Sequence, residues 1–155
     1  MPKIRVATAA DVNQLVESVT NLFRDDAGRH DRFTDITWPH REGHARYGGL
    51  VGDPAWLQLV AYDDEDRVIG HLVGRLSEPT PTRPSLAAVL ESIYVFADVR
   101  GQGIGGQLTE QFLTWARAQQ AAFVSVSAYA ANEAAHRFYQ RHGFVPQSVT
   151  LQAVL

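Results

Sequence analysis

The segment Arg100-Gly101-Gln102-Gly103-Ile104-Gly105-Gly106 holds four glycines in seven residues. Glycine reaches backbone conformations that other residues avoid, and it lets a ligand approach the main chain closely. An apolar run precedes this segment and an amphipathic pattern follows it, so the loop opens a helix. The first N–H groups of a helix have no intrahelical partner and sit at the positive end of its dipole. Such a place suits an anion, a pyrophosphate above all, and Arg100 adds a cation beside it. A second cluster is Asn132, His136 and Tyr139. Seven residues span close to two helical turns, so these side chains share roughly one face of a helix. The third feature is Glu91, a carboxylate in an otherwise apolar strand, which is costly unless paired or functional. Buried, Glu91 would have a raised pKa and serve as a base. On the outer face of the strand it would be solvated or ion-paired, and alternation alone does not decide between the two.

Other motifs fit these residues poorly. A P-loop requires Gly-Lys-Ser/Thr, which the glycine segment lacks. Gly101, Gly103 and Gly106 formally satisfy the dinucleotide fingerprint G-x-G-x-x-G. The strand that follows ends near Ala128 without an acidic residue for a ribose, and Glu133 falls inside the next helix. His40 and His44 have the spacing of metal ligands on a helix, but Arg41 stands where a zinc protease needs glutamate. No metal site is expected. No G-x-S-x-G elbow accompanies the serines and histidines.

The elements that must carry these groups can be read from periodicity. Ile4 to Ala7 is a short strand. Thr8 and Asp11 form a capping-box start for a helix to about Arg24, with Val12, Leu15, Val16, Val19, Leu22 and Phe23 on one stripe. Residues 25–37 are polar and charged, with Asp25, Asp26, Asp31 and Asp35 among them. Their carboxylates either attract a cationic amine or form a solvated face. Pro39 suits the first turn of a second helix reaching Leu50. Trp56–Tyr62 and Val68–Leu76 read as an antiparallel hairpin. Leu86 to Phe96 is a central strand, a helix follows the glycine loop to about Gln120, and Phe123–Ala128 is a further strand. Asn132–His142 is a short helix stopped by Gly143. From Phe144 onward a last strand or hairpin is expected. Strands interleaved with helices in this way predict a mixed α/β layer fold.

The chain has 155 residues, a formal charge of −3 and no cysteine. This length suits one domain over 1–155, which at this size buries roughly two-thirds of its unfolded surface without disulfides. The missing cysteine excludes a thiolate metal site and a cysteine nucleophile, and it suits a cytoplasmic setting. No secretion signal or membrane-span pattern is present, and the slight acidity argues against nucleic acid as a partner.

Arg100-x-x-Gly103-x-Gly105 resembles the Gln/Arg-x-x-Gly-x-Gly/Ala motif of the GNAT superfamily of N-acetyltransferases. The resemblance extends to Leu90–Val95 before the loop and to Asn132–Phe144, with its Tyr…Gly-Phe ending. It extends also to the opening Arg5–Asp11. It implies a central, mostly antiparallel twisted sheet of about six to seven strands with about four helices. It implies acetyl-CoA as acyl donor and a primary amine, on a small molecule or a peptide, as acceptor. The amine would attack the thioester directly, through a tetrahedral intermediate. By the resemblance Tyr139 is the general acid for the departing thiolate and Glu91 the base, directly or through water. The main chain at Val95 would polarise the thioester carbonyl where a bulge splays the strand. The donor site would comprise Ile93, Tyr94, Val95, Arg100, Gly101, Gln102, Gly103, Ile104, Gly105, Gly106, Asn132, His136 and Tyr139. Phe33 and Trp38, with Glu91, would form the acceptor wall. A homodimer would fit, since relatives pair through sheet edges or last strands. The alternative is a non-catalytic acyl-CoA sensor that keeps the loop alone.

Overall fold

The computed structural model describes residues 2–155. Five strands form one sheet in sequence order: β1 (Lys3–Val6), β2 (Trp56–Tyr62), β3 (Val68–Ser77), β4 (Ala87–Val95) and β5 (Phe123–Val126). The first three pairings are antiparallel, and β4 with β5 is parallel. The parallel step requires a crossover, which α4 (Ile104–Ala118) supplies.

Side-chain alternation gives the sheet two apolar faces. Leu57, Leu59, Ala61, Leu72, Ala88 and Leu90 meet Ile104, Leu108, Phe112 and Ala116 of α4. On the opposite face Val73 meets Val12, Leu15, Val16 and Val19 of α1 (Val12–Leu22) and Tyr47 of α3 (Trp38–Gly49). Gly74 is forced by this packing: a Cβ there would lie 2.7 Å from the ring of Phe112. The expected capping box precedes α1, with the Thr8 N–H donating to Asp11 at 2.8 Å. Arg5 donates twice to the same carboxylate, at 2.5 and 2.9 Å, and holds its pKa below the usual range.

Two elements depart from the expected pattern, and the last helix follows it. The sheet has five strands rather than six or seven, because residues 144–155 form neither helix nor strand. The first helix does not end near Arg24. It continues as a π-helical segment, Phe23–Ala27, and then as the single turn α2 (Gly28–His30). The last helix, α5 (Glu133–Arg141), starts from Asn132, whose side chain accepts from the Ala135 N–H at 3.1 Å.

One polar group crosses the core. His71 on β3 is fully buried; its Nδ1 lies 2.5 Å from Ser18 Oγ on α1, and its Nε2 lies 3.0 Å from Ser92 Oγ on β4. Burial lowers its pKa from 6.5 to about 3, so the ring is neutral near neutrality. The unfolded chain takes up this proton near pH 6.5, while the folded chain refuses it until about pH 3. Stability from this site is therefore complete above pH 6.5 and is lost as pH falls toward 3, at a limit of about 1.4 kcal/mol per pH unit. In thermal melts between pH 6.5 and 4, His71→Gln is expected to flatten the fall of Tm with acidity relative to the parent. Parallel profiles would show that the buried imidazole is not the source.

Candidate active site

The antiparallel ladder between β3 and β4 slips once. Val73 faces Ser92 and Gly74 faces Leu90, so Glu91 is the extra residue of a bulge. Pairing of β4 with β5 also stops at Leu90–Val126. From Glu91 onward the two strands part. The Phe96 N–H donates to the Ile69 carbonyl at 3.0 Å, so strand alternation sends the main-chain groups of Ile93 and Val95 away from β3, into the gap. The expected bulge is thus present, placed at Glu91 and upstream of Val95.

The gap opens into a cavity of about 500 Å³. Glu91, Ile93, Tyr94, Val95, Arg100, Gly105, Asn132 and Tyr139 line it. Gly101, Gln102, Gly103, Ile104 and Gly106 do not line it, but they form the adjoining turn. Gly101 and Gly103 both have φ of +80°, which a side-chain-bearing residue rarely adopts. Gly103 is the N-cap of α4, with no side chain capping the turn, and the first α4 bond runs from the Gln107 N–H to the Gly103 carbonyl. The N–H groups of Ile104, Gly105 and Gly106 therefore remain available to an anion. The Ile104 side chain itself belongs to the core. Glycine at 105 lets α4 approach α5, since a Cβ would lie 3.3 Å from Phe138.

Arg100 does not hang free beside the loop. Its Nε donates to the Val95 carbonyl at 2.8 Å, and its guanidinium lies 5.2 Å from the ring centre of Tyr94. The Tyr94 hydroxyl donates in turn to Asp25 at 2.7 Å, which with Arg24 lowers the Asp25 pKa. Tyr139 is largely buried, and desolvation together with the charge of Asp26 pushes its pKa up to about 12. The phenol therefore keeps its proton throughout the neutral range.

Four expected side chains behave differently. Glu91 lines the cavity but is not buried; its Oε1 lies 3.5 Å from Arg75 Nε. Phe33 is 66% exposed and Trp38 stacks on Phe23 against the α1 core, so neither lines the cavity. His136 also stays outside it, with Nε2 3.0 Å from the Tyr129 carbonyl. Beside Glu91, the cavity is lined by Asp25, Asp26, Arg29 and His30, where Phe33 and Trp38 were expected. Asp26 accepts from Asn132 Nδ2 at 3.1 Å, joining the π-helical segment to the cap of α5. Residue pattern hinted at these carboxylates only as an acidic run; the widened turn that aims two successive ones at a cavity has no sequence signature.

The model of the Acetyltransferase (GNAT) family matches residues 16–144 of this chain. An aminoglycoside N(6')-acetyltransferase type 1 from Acinetobacter genomosp. 13 is 33% identical over 113 residues, covering 70% of this chain and 77% of that protein. A mutant of the BH1408 protein from Bacillus halodurans superposes with a TM-score of 0.82 over 99% of both chains, at 23% identity. The aminoglycoside antibiotic 6'-N-acetyltransferase AAC(6')-Ih from Acinetobacter baumannii gives 0.74 over 100% of this chain and 99% of that one, at 20% identity. The architecture and loop are those of an acyl-transferring enzyme that draws on an acyl-CoA donor. The chain belongs to the GNAT family of acetyltransferases.

The proximity of Asp26 to Tyr139 is open to direct measurement. Replacing Asp26 by Asn removes a negative charge that opposes phenolate formation, so the Tyr139 pKa is expected to fall while staying above 10 through desolvation. A ¹³C NMR titration of ring-labelled tyrosine reads this shift. An unmoved Tyr139 resonance would place Asp26 outside its electrostatic reach.

Proposed function

We propose that this protein transfers the acetyl group of acetyl-CoA to a primary amine on a small, multiply cationic acceptor, by direct attack with no covalent enzyme intermediate. The observation that carries the reading is the parting of β4 from β5 beside an uncapped, glycine-opened helix start. The residues present fit the donor. The Ile104, Gly105 and Gly106 N–H groups suit its pyrophosphate, and the gap at Val95 suits an extended arm. The donor supplies a thioester, whose carbonyl gains negative charge and whose sulfur departs as a thiolate.

The chain's own groups meet those demands. The Val95 N–H is a fixed donor aimed into the gap, so it stabilises an oxyanion without reorganising. Tyr139, protonated at neutral pH, gives its proton to the departing sulfur. Asp25 and Asp26 hold cationic amino groups of the acceptor. Glu91, exposed and paired with Arg75, removes the ammonium proton through water rather than as a buried base. The Asp25 and Asp26 carboxylates on the cavity wall and the aminoglycoside-acetylating relatives both support a polyamine acceptor. Acting as a homodimer is part of the same reading.

Two measurements test it. In a thermal-shift titration, acetyl-CoA is expected to raise Tm saturably while NAD and ATP do not. A shift with NAD or ATP and none with acetyl-CoA would overturn the donor assignment. Among amines screened by CoA release, Tyr139→Phe is expected to lower kcat by about 10²-fold or more while leaving donor binding in place. Unchanged turnover would remove Tyr139 as the acid.

A further inference from the structure

Acylating a primary amine removes two protons from its nitrogen. The ammonium enters with three, and the amide keeps one. Glu91, through water, takes the first and leaves a neutral amine. The second must leave as the C–N bond forms and the C–S bond breaks. Tyr139 cannot take it, because Tyr139 is then giving a proton to sulfur. A second proton acceptor is needed on the acceptor side of the cavity.

Most groups on that wall are already engaged. Asp25 accepts from Tyr94 at 2.7 Å and from Arg24 at 3.0 Å. Asp26 accepts from Asn132 at 3.1 Å. Glu91 pairs with Arg75, and Arg29 is a cation. His30 remains, and it lines the same cavity.

The surroundings of His30 select its tautomer. Its Nδ1 lies 2.9 Å from the Asp26 carbonyl oxygen and 3.3 Å from Asp26 Oδ1. A carbonyl only accepts, so Nδ1 carries the ring proton. In the neutral ring Nε2 then holds the lone pair, and among the described residues no protein group bonds to it. The ring plane is fixed as well. It stacks on Tyr129 at 5.3 Å between centres and 16° between planes. Tyr129 is itself anchored: its carbonyl accepts from the Asn132 N–H at 2.9 Å and from His136 Nε2 at 3.0 Å. The His30 side chain is 22% exposed, so a proton taken there has a route to water.

We infer that His30 is a further catalytic residue, whose Nε2 takes the second proton from the acceptor nitrogen. Asp26 orients the ring through Nδ1 and stabilises the imidazolium that forms. The amine nitrogen supplies the electron pair of the new C–N bond, and the sulfur leaves with the pair of the C–S bond. His30 then returns its proton to water, from which Tyr139 is reprotonated. The other proton, taken through Glu91, is the one released overall. This role deepens the acetyl-transfer reading of the cavity and rests on it.

Two variants and one spectrum test the role. His30→Asn keeps an N–H donor near the Asp26 carbonyl but has no group to take a proton. With acetyl-CoA and a panel of aminoglycosides and linear polyamines, it is expected to lower kcat by about 10²-fold and leave the KM for acetyl-CoA in place. His30→Ala is expected to fall similarly and to recover in part with added imidazole, which a packing role would not allow. In ¹⁵N NMR of ring-labelled histidine, the neutral His30 ring of the parent is expected to carry its proton on Nδ1. Full turnover by His30→Asn overturns the inference, as does a His30→Ala loss that imidazole leaves unchanged. A neutral ring protonated on Nε2 overturns it too, and that spectrum needs neither donor nor acceptor. A parent inactive on the whole panel instead fails the acetyl-transfer reading, and this role with it.

Discussion

Two neighbouring strands that part must leave main-chain groups without partners, and a folded protein accepts this only where something else uses them. Here β4 and β5 run parallel as far as Leu90–Val126 and then separate. The bulge at Glu91 occurs at the same point on the other side of β4. The cavity, the inward aim of the Val95 N–H and the nearness of Gly105 to Val95 all follow from that separation. A fully paired sheet would close the gap and leave the glycine loop as an ordinary turn into a helix.

Charge is arranged around the gap by linked contacts rather than by isolated groups. Arg100 grips the Val95 carbonyl and stacks on Tyr94, Tyr94 donates to Asp25, and Asp26 receives Asn132. The chain of contacts joins β4, the π-helical segment and α5, three elements far apart in sequence. It explains why Asp25 is held ionised while Tyr139 is held neutral, from opposite balances of hydrogen bonding and desolvation. The buried His71 joins β3 to α1 and to β4, the latter through Ser92, which also lines the cavity.

Much of this was legible in the residues. The hairpin of β2 and β3, the capping box at Thr8, the helix after the glycine loop and the shared wall of Asn132 and Tyr139 all have local signatures. What escaped was non-local. A bulge depends on the register of a partner strand, so no pattern within 87–95 reveals that Glu91 is the extra residue. The resemblance puts Phe33 and Trp38 on the acceptor wall, but stacking with Phe23 and Tyr47 draws Trp38 to the α1 core instead. Residues 145–155 carry β-prone apolar residues without forming a strand, because no strand of the sheet pairs with them.

On the proposed function, the opened β4 edge and the start of α4 together form the acetyl-CoA site. An amide-resolved NMR titration with acetyl-CoA tests it most directly. The account predicts that the largest shifts fall on the N–H groups of Val95, Ile104, Gly105 and Gly106. Saturable binding that leaves those four amides unmoved would contradict it.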